Sequence, residues 1–126
     1  MPRVYRIENA RGAGPYSNGV LYKDEIGFEL LGPERHPSPY NDPAIARWWL
    51  YELEFSDDWF FGFATKTQLK HWFFRKKWRK ALFENGYNVV EYEVPAECFK
   101  RGNFQAVFMR KNAISRHVLK ESEWVD

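Results

Sequence analysis

The sequence predicts a single α+β domain over residues 1–126, with a mixed, mainly antiparallel sheet and two or three helices packed against it. Three observations lead to this prediction: segments with strand-like alternation, one run that is apolar on both faces, and two helix starts marked by capping residues. The chain can also bury a substantial core, because six Trp, seven Tyr and eleven Phe residues bring the aromatic content to 19%.

Four segments have the composition of β-strands. Residues 3–8 alternate weakly and are rich in Val, Tyr and Ile. Residues 59–64 are apolar on both faces, which predicts a buried strand in the middle of the sheet. Residues 87–94 place apolar side chains on one face and glutamates on the other, and residues 104–109 follow a Gly-Asn turn. We expect the last three segments to be the central strands, with residues 3–8 joining them.

A first helix is predicted from Asp42 and Pro43, an N-cap residue followed by a proline in the first turn. This helix would cover about residues 44–55. The preceding loop, Gly32–Pro43, contains four prolines and is longer than a simple connector requires, which is typical of a functional loop. Residues 112–126 predict a short helical tail.

A second helix start is the capping box of Thr65 and Gln68, which predicts a helix from Lys66 onwards. The apolar residues that follow fall on nearly opposite sides of a helical wheel. We therefore expect either a break near residues 74–76, giving two short helices, or one helix sandwiched between two layers. The Asn-Gly pair at residues 85–86 predicts the end of the helix.

The apolar positions of these strands and helices fall on shared faces, which we expect to meet in one core. The predicted core residues are Ile7, Trp49, Phe61, Phe63, Leu69, Trp72, Leu82, Val90, Tyr92, Val107 and Phe108. Aromatic side chains left on the surface would favour contact with a partner and are compatible with dimerisation.

Several chemical functions find no support in the sequence. Cys98 is the only cysteine, which excludes an internal disulfide and a multi-cysteine zinc site. The three histidines are far apart and lack a carboxylate motif, so no metal is predicted. Gly12 and Gly14 resemble part of a phosphate-binding turn, but no helix signal follows them. No apolar run is long enough to span a membrane, and a cytoplasmic protein is the expectation.

The segment 70–80 interleaves seven basic residues, His71 included, with four large aromatic residues. Such a segment can neutralise phosphates and stack on bases, or bind an acidic protein surface. It is equally compatible with a core helix whose solvent-exposed side is basic. The overall charge of only +2 favours a protein or nucleoprotein partner over free duplex DNA. The predicted partner-binding residues are Arg75, Lys76, Lys77, Trp78, Arg79 and Lys80.

Short segments in a fixed order resemble a class of small, uncharacterised phage and prophage proteins. These segments are Val-Tyr-Arg-Ile-Glu at 4–8, Gly-Pro-Tyr at 14–16, Phe-Gly-Phe-Ala-Thr at 61–65, the Leu69 to Phe73 stretch, Tyr-Glu-Val at 92–94 and Gln-Ala-Val-Phe at 105–108. The resemblance covers most of the chain and includes no catalytic signature. It implies an inhibitor of a host enzyme or of a bacterial defence system, anti-CRISPR proteins among them, acting in the host cytoplasm.

The same order more faintly resembles an ADP-ribosyltransferase core, which uses NAD. This resemblance implies that Arg6 would contact the NAD pyrophosphate, Thr65 the ribose, and Gln105 would occupy the position of the catalytic acid. Gln105 carries no negative charge, so it would stabilise an oxocarbenium-like transition state poorly. The resemblance therefore implies weak activity or a degenerate binding scaffold. The alternative is that all three residues are purely structural.

The leading hypothesis is a non-enzymatic phage accessory protein that binds a host or defence-complex protein and occludes a functional surface on it. No cofactor is expected under this hypothesis. The two alternatives are the NAD-using transferase or its degenerate scaffold, and direct binding of DNA or RNA through residues 70–80.

Overall fold

The computed structural model describes residues 1–15, 42–49 and 58–126, which form an α+β fold as predicted. These residues contain two three-stranded antiparallel sheets and three α-helices whose ends are both described. The strands are β1 (Arg3–Glu8), β2 (Phe60–Gly62), β3 (Asn88–Glu93), β4 (Phe99–Arg101), β5 (Ala106–Phe108) and β6 (Ser115–Val118). The helices are α1 (Lys66–Trp72), α2 (Lys76–Glu84) and α3 (Glu121–Trp124).

The strands divide into two sheets, whereas the sequence predicted one mixed sheet. The β3 sheet has the order β1-β3-β6, and the β5 sheet has the order β2-β5-β4; every pairing is antiparallel. The two sheets meet at one bridge, in which Tyr5 and Phe63 exchange backbone hydrogen bonds of 2.8 Å in both directions. The predicted central positions of β3 and β5 are confirmed.

The predicted central position of β2 is wrong, because β2 lies at the edge of the β5 sheet. Phe61 is consequently 45% exposed, which corrects its predicted place in the core. Its ring lies 5.9 Å from the ring of Trp49, and Trp49 is itself only partly buried. The two aromatic side chains therefore pack against each other outside the core.

The predicted break between two helices is confirmed, because α1 ends at Trp72 and α2 begins at Lys76. The predicted cap is also present: the Gln68 backbone N–H donates to the Thr65 hydroxyl over 3.0 Å. Gly86 follows the end of α2 with a φ of +89°, a backbone conformation that favours glycine.

The β3 sheet is covered on both faces, because adjacent residues of a strand point to opposite sides. Val89 packs with the helices, in a cluster that includes Leu69, Leu82 and Trp124. Val90 packs toward the β5 sheet, in a second cluster that includes Phe108. The predicted core residues confirmed as buried are Ile7, Phe63, Leu69, Trp72, Leu82, Val90, Tyr92, Val107 and Phe108.

The C-terminal segment contains a strand where the sequence predicted only helix. Residues 115–118 form β6 at the edge of the β3 sheet, and the short α3 follows with Trp124 buried. All four residues of β6 are exposed, so this strand lacks the alternation of apolar and polar residues that would have revealed it. β4 was missed as well, since its three residues include two cations.

The predicted helix start at Asp42 is confirmed, since the backbone N–H of Ala46 donates to the Asp42 carbonyl over 2.8 Å. The Asp42 carboxylate is fully buried and accepts hydrogen bonds from the backbone N–H groups of Ala44, Asn103 and Phe104 over 3.2, 2.8 and 3.1 Å. Asp42 therefore attaches the segment 42–49 to the turn before β5. Residues 50–55 of the predicted helix, and all of the predicted Gly32–Pro43 loop before Asp42, lie outside the described residues.

Replacing Asp42 tests this attachment. Asp42→Ala removes a buried carboxylate that accepts from three part-buried backbone N–H groups, and we expect the free energy of unfolding to fall by about 2–3 kcal/mol. Urea denaturation measures the change. Asp58→Ala is the matched control, because among the described residues Asp58 pairs with Lys111 alone, at the surface. Its loss should lower the free energy of unfolding by less than about 1 kcal/mol. Equal losses in both variants would contradict a special role of Asp42.

Candidate functional site

The predicted basic segment places four of its cations in solvent. Arg75, Lys76, Lys77 and Lys80 are exposed, and we call them the basic face. Lys76 forms an ion pair of 3.1 Å with the exposed carboxylate of Asp126. Among the described residues, no carboxylate forms an ion pair with Lys77 or Lys80. Lys76 is thus the one member of the basic face with a carboxylate partner among the described residues.

The other two predicted partner-binding residues lie beneath the basic face. Trp78 is completely buried, and Arg79 is also buried. Arg79 donates from its guanidinium group to the carbonyl of Phe73 over 2.6 Å and to the carbonyl of Val125 over 3.0 Å. Burial lowers the pKa of Arg79. These contacts join α2 to the end of α1 and to the chain after α3, so Trp78 and Arg79 anchor the helix instead of facing solvent.

An exposed aromatic side chain borders the basic face at its N-terminal end. The Phe74 ring packs edge-on against Trp78, with 5.0 Å between ring centroids. The Arg75 guanidinium lies 5.5 Å from the centroids of both rings. A cation held over aromatic rings keeps its charge while losing side-chain freedom. The surface is thus a combination of positive charge with aromatic area.

A second polar cluster lies between the two sheets, around the carboxylate of Glu8. Its oxygen Oε2 accepts from Arg6 over 3.1 Å and from Arg110 over 3.0 Å. Its oxygen Oε1 accepts from the Tyr92 hydroxyl over 2.6 Å and from Arg116 over 3.5 Å. The Glu8 side chain is only 2% exposed. We call these five residues the Glu8 network.

Glycines in the loop after β1 allow the chain to approach the Glu8 network closely. A Cβ atom on Gly12 would lie 3.1 Å from the Arg110 guanidinium, and one on Gly14 would lie 3.2 Å from that of Arg6. Gly12 also has a φ of +79°, and its carbonyl accepts from Arg110 over 2.7 Å. The two glycines that resemble a phosphate-binding turn in the sequence thus make room for arginines of the protein itself.

Burial shifts the pKa of two residues in the Glu8 network. Desolvation lowers the pKa of Arg6, an effect that the nearby Glu8 carboxylate opposes. Desolvation also raises the pKa of Tyr92, and the hydrogen bond to Glu8 raises it further. The Tyr92 phenol is therefore held in its neutral, hydrogen-bond-donating form over a wider pH range than a free tyrosine.

The residues implied by the transferase resemblance have structural partners. Arg6 donates to Glu8 and, over 2.9 Å, to the carbonyl of Phe61. The Thr65 hydroxyl caps α1. Gln105 is buried immediately before β5, and its backbone carbonyl accepts from Gly102. These contacts add no support for catalysis, and the transferase function stays a prediction.

Sequence reasoning missed Glu8, Arg110 and Arg116 as members of one site. Glu8 lies 102 and 108 residues from the two arginines, and the ion pairs depend on how β1, β6 and the turn after β5 are placed. One partial signal is present in β1, where Arg6 and Glu8 share the inward face with Val4. Charged residues in register with a buried apolar residue indicate a buried ion pair.

The described residues include neither a cluster of metal-ligating side chains nor a helix that could span a membrane. Among them, no group of three or more His, Cys, Asp and Glu side chains is placed to hold a metal ion. None of the helices in residues 1–15, 42–49 and 58–126 has the length and apolar character that a transmembrane segment needs.

Comparison with known proteins connects the chain with a phage family. The family model described as Bacteriophage T4 Y00F protein matches residues 1–121. No curated protein and no solved structure matches the chain. The matched region contains both the basic face and the Glu8 network. The predicted resemblance to small phage proteins is confirmed at this level, whereas the match lends no support to the transferase resemblance.

Neutralising Glu8 tests the role of its network in stability. Glu8→Gln leaves three arginines around an uncharged group, and we expect the free energy of unfolding to fall by about 2–4 kcal/mol. Urea denaturation provides the measurement. Glu91→Gln is the matched control, because Glu91 pairs with the exposed Arg3 over 2.9 Å and should cost less than about 1 kcal/mol. If Glu8→Gln lowers the free energy of unfolding as little as Glu91→Gln does, the network contributes little to stability.

The raised pKa of Tyr92 predicts a specific pH dependence. Because the folded state holds this proton more tightly than the unfolded state, its stabilising effect is present at neutral pH and is lost as the pH rises above about 10. Tyr92→Phe should lower the free energy of unfolding by about 1–2 kcal/mol at neutral pH. We expect the difference between wild type and variant to shrink at alkaline pH in urea denaturation. A difference independent of pH would contradict the expectation.

Proposed function

Because the chain belongs to the Bacteriophage T4 Y00F protein family, we propose that it is a small phage accessory protein that binds and inhibits a host or bacterial defence protein. It acts in the host cytoplasm and uses the basic face of α2 to bind an acidic surface on its partner. Inhibition results from occlusion of a functional surface beside the contact. A CRISPR effector is one example of such a partner.

The arrangement of α2 is the observation that carries this proposal. Lys76, Lys77 and Lys80 fall within about 100° around the helix axis, and Arg75 precedes them. The common direction of the three lysines concentrates positive charge on one side of the helix. A concentrated charge of this kind accelerates association with an oppositely charged surface and favours one orientation of the complex.

The anchoring of α2 makes the basic face suitable for specific binding. Trp78, Arg79 and Leu82 are buried on the other side of the helix. The backbone that presents the cations is therefore already fixed before a partner arrives. Binding then requires the ordering of a few long side chains only, which keeps its entropic cost low.

The size of the basic face favours a protein partner over nucleic acid. α2 has nine residues and is about 13 Å long. The four cations of the basic face can therefore reach only a few phosphates of a duplex. The exposed Phe74 beside Arg75 adds an aromatic contact of the kind enriched in protein interfaces. A stable complex would bury about 800 Å² on each partner, which requires neighbouring surface as well as α2.

Charge reversal on the basic face tests the proposal. The variant Arg75→Glu/Lys77→Glu/Lys80→Glu should capture at least about tenfold less of its partner than wild type from nuclease-treated host lysate. The three positions form no ion pair among the described residues, so the fold should be retained, as circular dichroism can verify. Arg11→Glu/Arg47→Glu/Lys66→Glu is the matched control, with three exposed cations and the same change in net charge.

Equal capture by the two triple variants would contradict the proposal. A partner that disappears from all samples after nuclease treatment would instead favour direct binding of DNA or RNA. Fluorescence anisotropy with labelled duplex at two salt concentrations identifies that case, because affinity for phosphates falls steeply as salt rises.

A further inference from the structure

An open depression of about 650 Å³ lies beside the Glu8 network, and no residue of α2 lines it. Its wall includes Arg110 and Arg116, and Phe60 and Tyr92 contribute its aromatic lining. Arg116 pairs directly with Tyr92 across the neighbouring strands β6 and β3, so both side chains lie on the face that looks toward the β5 sheet. The depression is thus the open end of the space between the two sheets.

Positive charges outnumber negative charges at this end of the space between the sheets. Arg6, Arg110 and Arg116 all contact the single carboxylate of Glu8, which leaves a surplus of two positive charges. Lys111 and Asp58 also line the depression, but they neutralise each other over 3.1 Å. The Glu8 network is therefore a cationic centre despite its buried carboxylate.

Both outer arginines have more N–H donors than their contacts with the described residues require. Arg110 uses Nη1 for Glu8 and for the carbonyl of Gly12. Arg116 contacts the Glu8 carboxylate over 3.5 Å and also interacts with the Tyr92 hydroxyl. Their side chains are 27% and 54% exposed, and within the described part of the chain no other carboxylate pairs with them. A guanidinium group has five N–H donors, so several are available to a ligand in the depression.

The position of Arg110 is fixed before any ligand binds. Its guanidinium lies 4.0 Å from the centroid of the Phe60 ring, and its Nη1 is held by two acceptors. Glu8 holds Arg116 on the opposite side of the same carboxylate. A pair of guanidinium groups oriented in advance binds an oxyanion at a smaller entropic cost than flexible lysines do.

We propose that this depression is a binding site for a small molecule carrying a phosphate group, held jointly by Arg110 and Arg116. A phosphate monoester carries a charge of about −1.5 to −2 at neutral pH, which matches the surplus at this site. It also offers three acceptor oxygens, enough to receive donors from two guanidinium groups at once. Ile114 lines the depression and is more than half exposed, which provides an apolar contact for the organic part of the ligand.

The test measures binding of inorganic phosphate and of glycerol 3-phosphate by isothermal titration calorimetry at constant ionic strength, with acetate as the carboxylate probe. We expect glycerol 3-phosphate to bind with a Kd of about 1 mM or lower and acetate to bind at least about tenfold more weakly. Arg116→Gln should weaken phosphate binding at least about tenfold, and Arg116→Lys should weaken it less. Arg3→Gln, which removes an arginine from the opposite face of the β3 sheet, should leave binding unchanged.

Several results would overturn the proposal. The proposal fails if neither phosphate probe binds, or if inorganic phosphate binds and glycerol 3-phosphate does not. It also fails if acetate binds as tightly as the phosphate probes. Equal effects of Arg116→Gln and Arg3→Gln on binding, in folded proteins, would reject it as well. The triple variant of the basic face separates this site from the proposed protein contact. It should retain phosphate binding, and loss of that binding would assign the phosphate to α2 and reject the depression.

Discussion

The arrangement of the two sheets depends on the hydrogen bonds and ion pairs of the buried Glu8 carboxylate. An ionised carboxylate inside a protein is costly unless charges and hydrogen bonds surround it. Here three arginines and the Tyr92 hydroxyl supply those contacts. The partners come from β1, β3, β6 and the turn after β5, so all four must be in place together. An exposed ion pair on the same sheet, such as that of Arg3 with Glu91, imposes no such requirement.

The two cationic regions of the molecule differ in how they are supported. On α2, buried Arg79 and Trp78 fix the helix, and the cations of the basic face lie on its solvent-exposed side. In the Glu8 network, Arg6 and Arg110 are themselves fixed, because they share one carboxylate and both pack on Phe60. The first arrangement suits a broad acidic protein surface. The second suits a small anion that requires donors at defined positions. The two proposals thus assign contacts of different selectivity to the two cationic regions.

Local signals in the sequence were sufficient for the helices and for the longer strands. The Thr65 cap, the break before Lys76 and the stop at Gly86 each depend on neighbouring residues, and each is confirmed. Non-local features were not predictable in this way. β6 is exposed along its length, and its strand structure consists of its pairing with the edge of β3. The edge position of β2 likewise depends on which strand β5 pairs with, and Phe61 was misplaced for that reason.

The candidate site was likewise predictable from the sequence only in part. Clustered charge in residues 70–80 is visible in the sequence, but only the structure distinguishes the buried Arg79 from the exposed Lys80. The most direct measurement of the central claim is a double-mutant cycle of Glu8→Gln and Arg110→Gln, followed by urea denaturation. If the carboxylate organises the site, the two substitutions should couple by more than about 1 kcal/mol. Additive effects would mean that Glu8 and Arg110 act independently, and would contradict the network.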